Sequence, residues 1–347
     1  MKAAVIHEFG APDVLRYEEV PTPEAGPGEV LIRLHAVGVN HMDLDVREGK
    51  AGHAFRMPHI MGSEGAGEIA AVGSAVSEFI VGDRVIPAVA LSSGTCRHRV
   101  CNCSKGLDNL CVDELSKLGA NRWGTYAEYI KVGTPNLVRI PANLSYETAA
   151  ASRTAFSTAW ELVVEQGGVR AGEDVLVNAA GGGVGSAAVQ IAARAGARVI
   201  ASAGADDKLA RARDLGAHEI VNYRTQDLAE EVLRLTGGRG VDLVIELVGG
   251  RTPQQSLRAV ALGGRIATGG AHAGEKVEID IVQFFRKQLT MTSTHSFRKS
   301  TTSRIFQLIA DGSLIALGGR TFPLREASRA HEVLASRDFF GKLLLIP

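Results

Sequence analysis

The sequence predicts an α/β protein in which a doubly wound parallel sheet follows a mainly β module. Three observations support this prediction. From about Phe156, apolar strand patterns alternate with helix patterns, as in a parallel sheet with crossover helices. Residues 1–90 instead show short strands interrupted by Pro and Gly turns. At 347 residues the chain also exceeds the size at which one core usually stops growing, so two domains are expected.

The predicted elements follow the same division. Strands of the β module are predicted at Lys2–His7, Glu29–Val37, Gly65–Val72 and Asp83–Val89. After an apolar helix, the strands of the parallel sheet are predicted at Asp174–Ala179, Arg198–Ala201, Glu219–Asn222, Val241–Leu247, Gly264–Thr268 and Leu289–Thr294. Helices are predicted between them at Val184–Ala195, Asp206–Leu215, Leu228–Leu235, Gln254–Ala261 and Ile281–Arg286. The last fifty residues predict helices Thr301–Ala310 and Arg325–Ser336 and a strand, Lys342–Ile346, that returns to complete the first domain.

Composition excludes several classes of protein. The 38 basic residues balance the 38 acidic ones, which gives no sign of a nucleic-acid partner. No apolar stretch is long enough to cross a membrane, and the first ten residues lack the apolar core of a signal peptide. A cytoplasmic protein with no nucleic-acid or membrane partner is therefore expected. The 40 glycines imply many tight turns and close backbone approaches.

A glycine-rich turn lies between a predicted strand and a predicted helix. The segment Ala180-Gly181-Gly182-Gly183-Val184-Gly185 resembles the dinucleotide fingerprint G-x-G-x-x-G, with Ala180 at the first glycine position. Glycines there let the backbone approach a pyrophosphate, whose charge the helix N-terminus stabilises. The strand–turn–helix context favours this interpretation over a simple bend. Gly181, Gly182, Gly183 and Val184 are therefore candidate cofactor contacts.

The end of the second predicted strand indicates which dinucleotide binds. An NAD site carries Asp or Glu there to accept from the ribose 2′-hydroxyl, whereas this strand ends at Ala201, Ser202 and Ala203. Ser202 could donate to a 2′-phosphate and Lys208 could supply positive charge. NADP(H) is therefore the predicted cofactor. Asp206 and Asp207 would serve NAD in another loop placement, but capping of the following helix is the favoured explanation for them.

Several segments together resemble the medium-chain dehydrogenase/reductase superfamily over essentially the whole chain. The matching segments are Pro27-Gly28-Glu29-Val30, Gly38-Val39-Asn40-His41-Met42-Asp43, Gly62-Ser63-Glu64-Gly65-Ala66-Gly67, Gly82-Asp83-Arg84-Val85, the glycine-rich turn and Phe340-Gly341-Lys342. The resemblance implies a GroES-like catalytic domain at 1–155 and 297–347, a Rossmann NADP-binding domain at 156–296, an active site in the cleft, and a homodimer.

Within that superfamily the chain resembles the quinone oxidoreductase-like branch, whose members use NADPH. The branch implies that Lys208 and Tyr223, the latter in the pair Asn222-Tyr223, meet the 2′-phosphate. Lys342, from the last matching segment, is added to the candidate cofactor contacts.

Zinc alcohol dehydrogenases of the superfamily bind a catalytic zinc through Cys, His and Cys. The matching positions in this chain are Asn40, Ser63 and Thr154, and none offers a thiolate or an imidazole. A catalytic zinc at the usual site is therefore not expected. A shifted site using His41, His59 and Glu64 is the alternative.

Without that metal, hydrogen-bond donors must stabilise the charge that develops on a substrate oxygen during hydride transfer. Asn40, Ser63 and Thr154 are candidates for this role. Reduction of a conjugated carbonyl or a quinone requires stabilising only an enolate or phenolate, so such substrates are favoured. His41 is a candidate proton donor, with water as the alternative, and the neighbouring Asp43 completes the candidate catalytic set.

All four cysteines, Cys96, Cys101, Cys103 and Cys111, fall in one short segment that resembles the structural-zinc lobe of the superfamily. Four thiolates can close a tetrahedral site with no open position. The spacing is C-x4-C-x-C-x7-C where the family has C-x2-C-x2-C-x7-C. One structural zinc per chain is predicted, with His98 as a substitute ligand and a lobe without metal, or partly oxidised, as the alternative.

Three hypotheses for function remain after the sequence analysis. The leading one is an NADPH-dependent reductase of conjugated carbonyls or quinones that needs no catalytic zinc. The second is an alcohol dehydrogenase with an unconventional metal site. The third is an NADPH-binding protein with little catalysis.

Overall fold

We describe the protein from a computed structural model, which covers residues 1–52, 55–92, 102–111, 117–337 and 339–347. The chain forms two compact units, one made of residues Met1–Thr154 and Arg298–Pro347 and the other of Ala155–Phe297. Each unit has its own sheets and its own buried apolar core. In the described part of the chain no helix is long and apolar enough to span a membrane.

The first unit is mainly β. Its strands before the second unit are β1 Lys2–Ile6, β2 Arg16–Glu19, β3 Glu29–Gly38, β4 His59–Ile60, β5 Glu64–Val72, β6 Arg84–Pro87, β7 Tyr129–Gly133 and β8 Leu137–Arg139. Helix α1, His41–Arg47, follows β3, and helix α2, Tyr146–Trp160, contains the boundary between the units. Strand β3 is at the centre and pairs antiparallel with both β5 and β7.

The second unit is a parallel sheet with crossover helices. Its strands are β9 Asp174–Val177, β10 Arg198–Ala203, β11 Glu219–Asn222, β12 Val241–Glu246, β13 Val260–Thr268 and β14 Thr290–Ser293. Its helices are α3 Gly183–Arg194, α4 Asp206–Asp214, α5 Leu228–Leu235, α6 Thr252–Ala259 and α7 Ile281–Arg286, and a π-helix, Glu161–Gln166, extends α2. The strand order β11-β10-β9-β12-β13-β14 is that of the Rossmann fold.

The chain then returns to the first unit through α8 Lys299–Ala310, β15 Gly318–Pro323, α9 Ala327–Ser336 and β16 Lys342–Ile346. Strand β16 pairs with β3, and β15 pairs with β16. The last strand therefore completes the sheet that carries the candidate catalytic residues. The α/β class and the parallel sheet predicted from the sequence are confirmed.

Candidate functional site

Asn40 lies at the point where β3 ends and α1 begins. It is the residue before the helix, and its backbone N–H donates to Asp43 Oδ2 at 2.8 Å. This contact is half of a capping box, which fixes the first turn of a short helix. His41 is the first residue of α1 and is half-buried. The turn thus holds the Asn40 side chain in one place, next to the charged groups described below.

The completely buried carboxylate of Glu64 organises this part of the first unit. Glu64 Oε2 accepts from Lys342 Nζ at 2.7 Å and from Asn40 Nδ2 at 3.1 Å. Glu64 Oε1 accepts from the backbone N–H of Thr154 at 2.6 Å. Burial alone would raise the pKa of this carboxyl, but the charges of Lys342 and Arg153 outweigh burial and lower it. Glu64 is therefore an anion at neutral pH.

The three predicted substrate-facing residues are brought together around Glu64. Asn40 Oδ1 accepts from Lys342 Nζ at 2.5 Å, so Asn40 contacts both members of the ion pair. Ser63 precedes Glu64 and its carbonyl accepts from the buried Arg153. The hydroxyl oxygen of Thr154 is buried and has no hydrogen-bond partner among the described residues. We name the charged groups Glu64, Lys342, Arg153 and Asp43 the Glu64 cluster.

Gly38 explains how so many groups fit beside one another. A Cβ atom on Gly38 would lie 2.5 Å from Glu64 Oε2 and 2.7 Å from the carbonyl oxygen of Ala150. Both distances are far below van der Waals contact, so only glycine is compatible with this packing. The matching segment Gly38-Val39-Asn40-His41-Met42-Asp43 therefore begins with glycine for a steric reason.

The shifted metal site is not assembled. His59 is buried and its Nε2 faces the carbonyl oxygen of Gly119, while both oxygens of Glu64 already have partners. Among the residues that the structure describes, no group of three or more His, Cys, Asp or Glu side chains could hold a metal ion. Of the four cysteines in the predicted zinc lobe, Cys96 and Cys101 lie outside the described residues. Cys103 begins one short 3-10 helix and the buried Cys111 follows another.

A second set of buried polar groups extends from Asp43. Tyr126 Oη lies 3.1 Å from Asp43 Oδ2 and 2.9 Å from His331 Nε2. His331 Nδ1 in turn lies 3.0 Å from Arg47 Nη1. Burial and the charge of Arg47 lower the pKa of His331 to about 3, so this imidazole is neutral. Sequence reasoning did not identify Tyr126, His331 or Arg47, since their contacts join residues 83 to 284 positions apart.

The glycine-rich turn of the second unit has the geometry of a phosphate cradle. Strand β9 ends at Val177 and helix α3 begins at Gly183. A Cβ atom on Gly185 would lie 2.2 Å from the carbonyl oxygen of Ala179, so this glycine permits the close turn. Gly182 is exposed, and a Cβ atom there would meet only that oxygen, at 3.5 Å. The first N–H groups of α3 have no acceptor within the helix, so the turn fits an anionic ligand.

Three side chains lie beside the glycines that follow β9 and β10, the region where the sequence predicts a 2′-phosphate. The aliphatic carbons of the Lys208 side chain pack against Gly181 and would lie 2.7–3.1 Å from a Cβ atom placed on that glycine. Tyr223 is half exposed, and its Oη and the Nε of Arg224 lie 2.8 and 3.0 Å from the corresponding position on Gly204. Arg224 was not identified from the sequence, although it directly follows the Asn222-Tyr223 pair. The two cations and the phenol suit a phosphate.

Two expectations about this region need revision, and a third stays untested. Ser202 is buried, and its hydroxyl donates to Asn178 Oδ1 at 3.0 Å, so the predicted donation to a phosphate is not what the structure shows. Asp206 does not cap α4, because Ala205 is the residue before that helix and Asp206 accepts from Asn222 Nδ2 at 2.7 Å. Lys342 lies in the first unit and its ammonium group binds Glu64 and Asn40, so its cofactor contact stays a prediction.

Buried hydrogen bonds fix the residues that directly precede the glycine-rich turn. Asn178 Nδ2 donates to Glu246 Oε2 at 2.7 Å, and Ser256 Oγ donates to the same oxygen at 2.7 Å. Glu246 Oε1 accepts from the backbone N–H groups of Val248 and Gly249. These bonds join the ends of β9 and β12, which is the switch point where the strand order reverses and where ligands bind in such sheets.

A Rossmann sheet with a glycine-rich turn and a separate mainly β unit is an architecture found in dinucleotide-dependent oxidoreductases. Comparisons with known proteins agree. The family model described as alcohol dehydrogenase GroES-like domain matches residues 26–142, and the model described as zinc-binding dehydrogenase matches residues 183–311. The chain belongs to the medium-chain dehydrogenase/reductase superfamily, and it is an oxidoreductase.

Relatives cover nearly the whole chain. The 2-haloacrylate reductase of a Burkholderia species is 33% identical, over 99% of this chain and 98% of its own length. The quinone oxidoreductase of Pseudomonas aeruginosa is 32% identical, over 98% of this chain and 97% of its own.

Solved structures give the same fold. A structure described as an NAD-dependent alcohol dehydrogenase is 44% identical and superposes with a TM-score of 0.94 over 100% of both chains. The Escherichia coli quinone oxidoreductase in complex with NADPH is 28% identical, with a TM-score of 0.85 over 100% of both chains.

Proposed function

We propose that this oxidoreductase uses NADPH to reduce a conjugated carbonyl compound, such as an enone, an enoyl compound or a quinone, without a catalytic zinc ion. The observation that carries the proposal is the Glu64 cluster. The positions where zinc alcohol dehydrogenases place Cys, His and Cys hold Asn40, Ser63 and Thr154, and a paired ammonium and carboxylate lie directly beside them. Amides and hydroxyls are poor zinc ligands but good hydrogen-bond partners for an oxyanion.

The relatives support the substrate class. Haloacrylates and quinones share a carbon–carbon double bond conjugated to a carbonyl group. When hydride adds to the carbon end of such a system, the negative charge moves to the oxygen. A bound nicotinamide cofactor supplies the hydride. The residues of this chain then have only to orient the substrate and stabilise an enolate or phenolate, for which the hydroxyl of Thr154, without a partner among the described residues, is the proposed donor.

The choice of NADPH over NADH rests on three side chains. Lys208 packs against Gly181, Tyr223 and Arg224 lie beside Gly204, and no acidic residue lies at the end of β10. The NADPH complex of the E. coli quinone oxidoreductase is consistent with this choice. The NAD-dependent alcohol dehydrogenase supports the alternative, in which Asp206 accepts from the ribose of NADH. Measured affinities for the two cofactors decide between them.

A panel of substrates tests the proposed reaction. We expect NADPH absorbance to fall when quinones, enones or enoyl thioesters are added. The rate of this NADPH oxidation should be unaffected by chelators at concentrations that leave the fold intact. Turnover of simple alcohols only, with loss of turnover on chelation, would support an alcohol dehydrogenase instead. Tight NADPH binding with no turnover of any compound would support a binding protein.

We also propose one structural zinc per chain in the lobe that contains Cys103 and Cys111. Elemental analysis should give about one zinc per chain. Two zinc ions per chain would contradict the proposal that the Asn40 position needs no metal. A chain that contains no zinc would contradict the structural site. The predicted cytoplasmic location stays a prediction.

A homodimer is the proposed assembly. Strand β14 is the last strand of its sheet and pairs on one side only among the described residues, and Met291 on it is 37% exposed. An open edge strand is a ready site for pairing with another chain. Light scattering in solution should give twice the mass of one chain, whereas the mass of a single chain would contradict the proposal.

A further inference from the structure

A chain of buried hydrogen bonds runs from Arg47 through His331 and Tyr126 to Asp43, and its direction is determined. Arg47 can only donate, so His331 Nδ1 accepts. The neutral imidazole therefore carries its single hydrogen on Nε2, which donates to Tyr126 Oη. The Tyr126 hydrogen then goes to Asp43 Oδ2. Burial and the nearby carboxylate raise the pKa of Tyr126 well above its usual value, so it remains a donor.

Asp43 is the last residue of this hydrogen-bond chain and also belongs to the Glu64 cluster. The charged groups that face it come from several elements: Lys342 on β16, Glu64 on β5, Arg153 on α2, and Arg47 on its own helix, which acts on Tyr126. With both carboxyls ionised, the two cations Lys342 and Arg153 balance Glu64 and Asp43. If Asp43 takes up one proton, the Glu64 cluster carries one net positive charge.

Burial and an unpaired oxygen favour Asp43 as the member that takes up the proton. Burial raises the pKa of Asp43 to about 7, against the opposing effects of the Asn40 N–H group, Lys342 and Tyr126, whereas the pKa of Glu64 is lowered. Asp43 Oδ1 is buried and has no hydrogen-bond partner among the described residues. A proton on Oδ1 therefore breaks none of the hydrogen bonds at Oδ2.

We propose that Asp43 sets the net charge of the Glu64 cluster, and that Tyr126 and His331 are positioning residues that govern proton uptake by Asp43. This inference rests on the proposed function, because the added positive charge stabilises an enolate or phenolate that forms beside Asn40. Asp43 is completely buried and does not transfer its proton to substrate. Asp43 exchanges this proton with solvent before hydride transfer and keeps it during the reaction, while the enolate or phenolate takes its own proton from water or from His41.

The pH profile of reduction gives the first readout. We expect kcat/KM to be constant at low pH and to fall above about pH 7, reaching about one tenth of its plateau at pH 8 if only the protonated form is active. Tyr126→Phe removes a donor to the carboxylate, which raises the pKa of Asp43 and moves this limb upward by roughly one pH unit. Tyr129→Phe removes one hydroxyl that is not part of this hydrogen-bond chain. It should leave the pH at which kcat/KM falls unchanged. Asp43→Asn should give a flat profile at whatever rate it retains.

Infrared difference spectra against pH give a second readout that needs no turnover. A protonated-carboxyl band should appear as the pH falls through about 7, shift to higher pH in Tyr126→Phe and be absent in Asp43→Asn. The proposal is overturned by a band that Asp43→Asn leaves in place, or by one that Tyr126→Phe does not move. If Tyr126→Phe does not fold, Asp43→Asn alone decides. The expected band without turnover of any conjugated carbonyl would reject the proposed function but not proton uptake by Asp43.

Discussion

In the first unit, the Glu64 carboxylate is fully buried and both of its oxygens are occupied by side chains and backbone of the same chain. In the second unit, Gly182 is exposed, Lys208 packs against Gly181, and Arg224 lies beside Gly204. The charges of the Glu64 cluster pair with one another, whereas the proposed role of Lys208 and Arg224 is to bind the cofactor. Substitutions in the Glu64 cluster should therefore cost stability, and substitutions around the glycine-rich turn should cost cofactor affinity.

The largest effect is expected from Lys342→Met. This change leaves the buried Glu64 carboxylate without its nearest cation, and breaking a buried pair from one side typically costs about 3–5 kcal/mol. Urea unfolding measures the loss. Lys131→Met, which breaks the partly exposed pair with Glu29, is the matched control and should cost about 0–1 kcal/mol. Equal losses in the two variants would contradict the account of the Glu64 cluster.

Lys208→Ala should leave the unfolding free energy nearly unchanged but weaken NADPH binding. A charge-assisted hydrogen bond contributes about 1.5–3 kcal/mol, so the Kd for NADPH should rise roughly 10- to 100-fold. The Kd for NADH, which has no 2′-phosphate, should stay within about twofold. Titration calorimetry with both cofactors measures the difference, and an equal loss for both would remove Lys208 from the 2′-phosphate position.

Gly182→Ala and Gly185→Ala separate binding from folding within one turn. The Gly182 Cβ would occupy only the open side, so we expect normal stability and a Kd for NADPH raised roughly tenfold, or about 1.4 kcal/mol. The Gly185 Cβ would collide with the Ala179 carbonyl and should lower the melting temperature as well. Normal affinity in Gly182→Ala would show that the pyrophosphate does not lie there.

Much of the second unit could be predicted from the sequence. Strand β11 and helices α5 and α7 have the predicted bounds, because their periodic apolar patterns are local signals. Helix α1 was missed because seven residues show too little periodicity, although the pair Asn40 and Asp43 has the spacing of a capping box. Strand β15 was missed because it depends on pairing with β16 and begins with two glycines.

The candidate site was predicted only in part, for a similar reason. Asn40, Ser63 and Thr154 could be named because the family motifs give their positions. Their common contact with the Glu64 cluster could not, since the hydrogen bonds that build it join residues 24, 90 and 302 positions apart. A single sequence contains no local pattern for such contacts. The same holds for the hydroxyl of Ser202, which could be placed near the turn but not assigned to Asn178.

The most direct test compares two substrates that differ by one double bond, 2-cyclohexenone and cyclohexanone, as oxidants of NADPH. Hydrogen-bond donors beside the Glu64 cluster suffice for an enolate but give little help to an isolated alkoxide. We therefore predict that the enone is reduced at its double bond and that the saturated ketone is reduced at least about 100-fold more slowly, a difference of roughly 2.7 kcal/mol in barrier height. Equal rates for the two, or reduction of the ketone alone, would contradict the proposed chemistry.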